Sequence, residues 1–256
     1  MLKIATWNVN SIKMRLERLA AFLKREEPDF VCLQELKCTE ENFPFEPIAA
    51  TGYTATVFGQ KTYNGVAVLS RKPIDTYVAG LPTFGDDPSA RFLIVKQGDL
   101  SVASAYIPNG QEVGSEKYHY KLKWFQCLER YLKDSHRPDE RILIAGDFNV
   151  APEDRDVHDP EQWRGKILFS DPEKEALQRV CRFGLYDTFR KHHAEAGLFS
   201  WWDYRQLAFP KNLGLRIDFI LASKPLFDAC TQARIDRDER KGKSPSDHAP
   251  VIANFE

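Results

Sequence analysis

An aspartate stands directly beside a histidine in the stretch Pro245-Ser246-Asp247-His248-Ala249-Pro250, and apolar Val251-Ile252-Ala253 follows. The pair combines a hard oxygen ligand for a cation with an imidazole whose ordinary pKa lies near neutrality. Alone it reads as a surface turn as readily as a site. Four further segments carry a carboxylate or carboxamide at a strand end: Trp7-Asn8-Val9-Asn10, Leu33-Gln34-Glu35, Gly146-Asp147-Phe148-Asn149 and Arg216-Ile217-Asp218. A single aspartate at such a place is usually a turn former. Asn8, Glu35, Asp147, Asn149, Asp218, Asp247 and His248 together point to a constellation. No sulfur accompanies the acids, so the cation they suit is hard, Mg²⁺ or Mn²⁺. Oxygen ligands with a single histidine fit phosphoryl chemistry better than zinc peptide hydrolysis.

The elements that must position these residues are legible as apolar runs. Strands are expected over 2–9, 29–34, 53–58, 65–69, 92–96, 101–106, 142–146, 217–221 and 250–254. Several runs are continuous rather than alternating, as in strands buried on both faces. Ile12, Leu16, Leu19, Phe22 and Leu23 form one helical stripe that ends before Pro28. Tyr120, Trp124, Leu128 and Leu132 form a second stripe. Ala176, Leu177, Val180 and Phe183 form a third, entered through Ser170-Asp171-Pro172 and left at Gly184. Region 80–90 reads as a loop, and 151–170 as a long, polar, irregular segment of the kind that often carries function. With no repeat and no low-complexity linker, the pattern predicts one α/β domain over 1–256, its sheets packed together and covered by helices.

Composition narrows the class. The 256 residues are 43% hydrophobic, enough for a large core and too many for disorder. The formal charge of −1 does not announce a nucleic-acid partner, although 36 lysines and arginines leave room for a local basic groove. Five cysteines without a C-x-x-C pair suggest neither disulfides nor a zinc site. No run approaches a membrane span and no secretory signal is visible, so a soluble, cytoplasmic protein is expected.

Asn8, Gln34-Glu35, Tyr106, Gly146-Asp147-Phe148-Asn149, Arg216-Ile217-Asp218 and Ser246-Asp247-His248 resemble the motifs of the endonuclease/exonuclease/phosphatase superfamily. Phe199-Ser200-Trp201-Trp202-Asp203-Tyr204 and Gly214-Leu215-Arg216-Ile217-Asp218 resemble its exonuclease III-type AP endonucleases, and the likeness runs from Ile4 to Phe255. The resemblance implies a four-layered sandwich of two mixed β-sheets flanked by helices. It also implies a DNA-repair phosphodiesterase that acts as a monomer on double-stranded DNA with abasic or 3′-blocked lesions, with Mg²⁺ or Mn²⁺ as cofactor and no membrane partner.

The residue roles follow from the same resemblance. Glu35, Asn8 and Asp247 would hold the metal. His248 would contact the scissile phosphate with Asp218 orienting it, and Asp147 would handle a proton. Asn149 and Tyr106 would position phosphate and nucleophile. Trp201, Leu215 and Ile217 would form an apolar pocket for a base-less sugar, with Asn109 as a further substrate contact. Trp202 reads as core. Tyr118, His119, Lys121 and Lys123 read either as a face for the DNA backbone or as a solvated helix face. One position departs from the family: before Phe169 it usually has Gly, Ser or Ala, and this chain has Leu168. The resemblance places that position near the bound strand, so Leu168 predicts a bias toward trimming blocked 3′ ends, unless the side chain turns into the core beside Phe169. Other readings are an inositol-phosphate phosphatase or broad-specificity DNase, against which Trp201–Tyr204 argues, and a non-catalytic DNA-binding relative, against which the intact set of polar residues argues.

Overall fold

A computed structural model of the chain describes residues 1–85 and 87–256. It contains two six-stranded mixed sheets. The first uses β1 (Leu2–Asn8), β2 (Phe30–Gln34), β3 (Thr54–Phe58), β4 (Val66–Ser70), β11 (Cys230–Ile235) and β12 (Val251–Phe255), in the order β11-β12-β1-β2-β4-β3. The second uses β5 (Thr76–Ala79), β6 (Phe92–Gln97), β7 (Leu100–Tyr106), β8 (Arg141–Asp147), β9 (Leu185–Asp187) and β10 (Asp218–Ser223), in the order β5-β6-β7-β8-β10-β9. The helices are α1 (Ile12–Glu26), α2 (Phe45–Ala49), α3 (Glu116–Ser135), α4 (Pro160–Trp163), α5 (Asp171–Cys181), α6 (Thr188–His192) and α7 (Lys224–Ala229). No described helix is long and apolar enough to cross a membrane.

Three apolar seams make the four layers. Between the sheets lie Ile4, Phe30, Cys32, Val68, Leu93, Val102, Leu143, Ile220 and Val251. Outside the first sheet, Ala5, Trp7, Val31 and Leu33 meet Ile12, Leu19, Phe22 and Leu23 of α1. Outside the second, Ile94, Ala103, Ile144 and Phe219 meet Trp124, Leu128, Ala176, Leu177 and Val180 of α3 and α5. Successive residues of β1 and β2 thus serve opposite seams, which is why these strands read as unbroken apolar runs. The three expected helical stripes are α1, α3 and α5. A capping box between Ser170 and Glu173, with Pro172 in the first turn, starts α5 where Ser170-Asp171-Pro172 predicted.

Strands β5, β9 and β11 were not evident in the sequence. β5 is an edge strand with every residue exposed, β9 has three residues, and β11 loses its alternation at an irregularity between Cys230 and Gln232. The described part of 80–90 contains a short 3₁₀ turn over Pro82–Phe84; Asp86 lies outside the described residues.

The register brings the polar segments to one rim. Asn8 pairs with Gln34 at the ends of parallel β1 and β2. Tyr106 pairs with Asp147 at the ends of parallel β7 and β8, and Asp147 faces Asp218 at the start of antiparallel β10. Asp147 reaches this place through Gly146, where a Cβ would lie 1.8 Å from the Ala105 carbonyl oxygen. Only glycine lets β8 approach β7 there. Gly146→Ala is therefore expected to cost about 3 kcal/mol or more, since a backbone atom cannot yield as a side chain does. Urea unfolding would show the loss, and an unchanged midpoint would disprove the close approach.

Candidate active site

Each polar side chain at the rim is fixed by its own loop. Glu35 and Asn149 leave their strands in the left-handed region, at φ 53° and 52°. Asparagine tolerates this well, and the Asn149 N–H donates to Asp147 Oδ1 at 2.9 Å, closing a local turn. Ser246 fixes the other side: its hydroxyl donates to the Asn8 carbonyl at 2.7 Å and accepts from the His248 N–H at 3.2 Å.

The side chains then link the two sheets. Asn8 Nδ2 donates to Glu35 Oε1 and to Asp147 Oδ2, both at 2.9 Å. The Tyr106 hydroxyl donates to Glu35 Oε1 at 2.9 Å. His248 Nδ1 lies 2.9 Å from Asp218 Oδ2, and that oxygen accepts from the Ser200 hydroxyl at 2.6 Å. His248 Nε2 stands 3.7 Å from Asp147 Oδ2, too far for a hydrogen bond. Burial works against a charged imidazole, but Asp218, then Asp147 and Asp247, overcome it and raise the His248 pKa to about 10. Burial raises the Asp147 carboxyl to about 7 against the pull of His248. Burial, with Glu35 and Asp147 nearby, keeps the Tyr106 phenol protonated well above its ordinary range. The rim therefore holds several acids, one imidazolium and a neutral phenol.

A search among known proteins places this geometry. Residues 5–248 match the endonuclease/exonuclease/phosphatase family. The chain belongs to this family. It is 36% identical over 266 aligned residues to an exodeoxyribonuclease III of Haemophilus influenzae, with 99% of this chain and 100% of that protein covered. Among solved structures it matches a 3′ phosphatase, NExo, from Neisseria bound to a product DNA hairpin, with TM-score 0.96, 39% identity and 100% of both chains covered. It matches an AP endonuclease from Archaeoglobus fulgidus with TM-score 0.96, 36% identity and 100% of both chains covered. Within the family it stands with the exonuclease III type.

Nucleases of this family are metal-dependent, and the donors fit a hard cation. One ligand atom each from Glu35, Asp147 and His248 lies within 4.8 Å of the others. Glu35 also lines an open cleft of about 600 Å³ with Tyr106, Asn109, Arg91 and Lys117. The Lys37 ammonium sits 2.9 Å from Glu35 Oε2, the place on that carboxylate where a cation is favoured.

Asp247, expected beside the metal ligands, also holds two neighbouring side chains. Its Oδ1 accepts from Asn10 Nδ2 at 2.9 Å and its Oδ2 from Trp201 Nε1 at 3.0 Å. The carboxylate thus ties the Trp201 ring and the 8–11 turn to the rim and keeps lone pairs for a cation. Trp201 packs with Leu168, Leu215 and Ile217 in one apolar cluster, and Trp202 is core. Arg216 of the same segment is buried against Asp156 and Asp187, at 2.6 and 2.7 Å, which anchors the 151–170 region to β10.

The face of α3 needs correction. His119 and Lys123 are exposed, but Tyr118 and Lys121 are buried. Positions 118, 121, 125 and 128 share one side of the helix, and that side faces the core. Lys121 therefore cannot contact a DNA backbone from a solvated face. The sequence reading singled out neither Lys37 nor Glu173, and it quoted Asn10 and Ser200 only as parts of longer segments. The spacing of Ser170 and Glu173 as a helix cap was the one further signal.

Asp218 supplies the largest of the forces that hold the charge on His248. In Asp218→Asn that force is gone while burial remains, so the ring is expected to lose its proton at a lower pH than in the parent. An NMR titration of the imidazole reads this directly, and an unshifted midpoint would remove Asp218 from its orienting role.

Proposed function

We propose that this DNA-repair phosphodiesterase hydrolyses phosphodiesters at abasic sites and blocked 3′ ends of double-stranded DNA, with Mg²⁺ or Mn²⁺ held by Glu35 with Asn8 and Asp247 beside it. The carrying observation is the buried Asp218–His248 pair beside Asp147, at a rim where Glu35 opens to a cleft. When bound, the cation neutralises phosphate charge and eases deprotonation of water. The protein's own groups supply the rest. His248, kept protonated by its acids, presents Nε2–H to a phosphate oxygen and stabilises charge that grows in the transition state. Asp218 holds the ring through Nδ1. Asp147, with its carboxyl near neutrality, takes the proton of the attacking water.

Asn149 has one Nδ2 hydrogen bound to the Ile107 carbonyl at 3.0 Å, and its Oδ1 accepts from Asn109 at 3.2 Å. The second amide hydrogen is left for a phosphate oxygen. Tyr106, held protonated, orients Glu35 rather than attacking. Of the three residues expected at the base-less sugar, Trp201 is partly exposed and offers its ring as an apolar wall, while Leu215 and Ile217 are buried behind it as support.

EDTA is expected to abolish cleavage of a 3′-phosphate oligonucleotide and Mg²⁺ or Mn²⁺ to restore it. Glu35→Ala is expected to shift the Mg²⁺ requirement upward. Full turnover without metal, or an unmoved Mg²⁺ titration in Glu35→Ala, would overturn the assignment. Inositol polyphosphates are expected to remain intact.

Leu168 is 5% exposed and packs with Phe169, Leu215 and Ile217 in one buried apolar cluster, at φ 72°, a conformation that suits glycine and strains leucine. Its side chain thus turns into the core beside Phe169, which removes the steric ground for a bias toward blocked 3′ ends. Leu168→Gly is expected to leave the ratio of abasic-site incision to 3′-phosphate release unchanged. Parallel assays on an internal abasic site, a 3′-phosphate nick and an intact duplex test this; a gain in abasic incision of about ten- to a hundredfold in the glycine variant would restore the steric reading.

A further inference from the structure

Behind Asn109 and Asn149 lies an ion pair that the chemistry above does not use. Lys121 of α3 and Glu173 of α5 are both 0% exposed. All three ammonium hydrogens are committed: to the Asn109 carbonyl at 3.0 Å, the Asn149 carbonyl at 2.7 Å and Glu173 Oε1 at 2.5 Å. Glu173 is equally saturated. Its Oε1 also accepts from the Leu168 N–H at 3.1 Å, and its Oε2 accepts from the N–H and hydroxyl of Ser170, at 3.1 and 2.5 Å.

We infer that the Lys121–Glu173 pair is a positioning device that sets the loops bearing Asn109, Asn149 and Leu168 in register with one another. The inference rests on the phosphodiesterase reading given above.

Taking two charges out of water costs several kcal/mol per ion, and well-packed apolar residues are often as stable in their place. Burial pulls the ammonium below its ordinary pKa, with Glu173 opposing. Stability alone is thus a weak reason for the pair. Its geometry gives a stronger one. Asn149 and Leu168 both sit in the left-handed region, at φ 52° and 72°, and such backbone persists only when its surroundings hold it. The pair holds both, through the Asn149 carbonyl and the Leu168 N–H. The Asn109 loop rests on the same lysine: at Gly110, φ +90°, a Cβ would lie 3.1 Å from Lys121 Cδ and 2.9 Å from Ile167 Cδ1. One ammonium thereby fixes the Asn109–Asn149 contact, which aims the free amide hydrogen of Asn149.

The test compares Lys121→Met, Glu173→Gln, the double variant and Gly110→Ala by melting temperature and by single-turnover release of 3′-phosphate at saturating DNA. Each single variant of the pair strands a buried charge and is expected to melt lower. The double variant strands no charge, so its melting temperature is expected to exceed that of either single variant, though not to reach the parent's, because two buried carbonyls still lack a donor. Its rate is expected to stay down about 10–100-fold, because the two carbonyls still lack their donor and a misplacement of about 1 Å costs that much. Amide exchange at residues 149–151 is expected to speed up in the same variant. Gly110→Ala disturbs the register from the loop side and is expected to slow the reaction with a smaller melting shift than Lys121→Met. It also decides the matter if the double variant does not fold. A double variant whose rate returns with its melting temperature, or a Gly110→Ala protein at full speed, would overturn the inference. An inactive parent protein would instead defeat the phosphodiesterase reading itself.

Discussion

The ion pair between His248 and Asp218 joins the two sheets at the rim where the site lies. His248 precedes β12 of the first sheet, and Asp218 opens β10 of the second. The seam between the sheets is apolar, and apolar attraction has no direction, so it resists separation more than sliding. Directional bonds at the rim remove that freedom. Asn8 reaches across to Asp147, Tyr106 reaches back to Glu35, and beneath them Gln34 Nε2 donates to Ser104 Oγ at 3.0 Å. The imidazolium is a positive group set among Asp147, Asp218 and Asp247. Without it, three buried carboxylates would repel one another, and the bonds that align the sheets would lose their geometry.

The same rim concentrates unfavourable local choices: left-handed Glu35 and Asn149, a strand pair that admits only glycine at position 146, and partly desolvated acids. A fold accumulates such costs where the surrounding packing over-determines the backbone. Here the surroundings are two sheets braced by α1 on one side and by α3 and α5 on the other. Rigid strand ends hold the groups proposed to react, and the neighbouring loops hold those proposed to meet the substrate.

Much of this was legible in the sequence, for physical reasons that differ by residue. The central strands announced themselves because burial on both faces leaves an unbroken apolar run. The helices did so through stripes such as Ile12–Leu23, and α5 through its Ser170–Glu173 cap. Strands β5, β9 and β11 lacked either pattern, being exposed, short or irregular. The polar rim could be proposed because a carboxylate after an apolar run is conspicuous. What sequence could not give was direction. Lys121 looks like a surface cation until the helix phase is known, and then it is the most enclosed charge on α3. Asp247 reads as a metal ligand, and only the structure shows that its two oxygens also hold Asn10 and Trp201. The positive φ of Leu168 had no sequence signal at all, although it gives a physical reason why glycine suits that position.

The placement of β1 between β2 and β12 carries a further consequence. Trp7 Nε1 donates to the His248 carbonyl across 241 positions of sequence, and Asn8 lies beside the histidine that completes the rim. Contacts so distant along the chain form late, after the loop entropy between them has been spent. During synthesis the growing chain thus presents Glu35, Tyr106 and Asp147 before the imidazolium that will sit among their carboxylates has been made, so the rim of acids closes last.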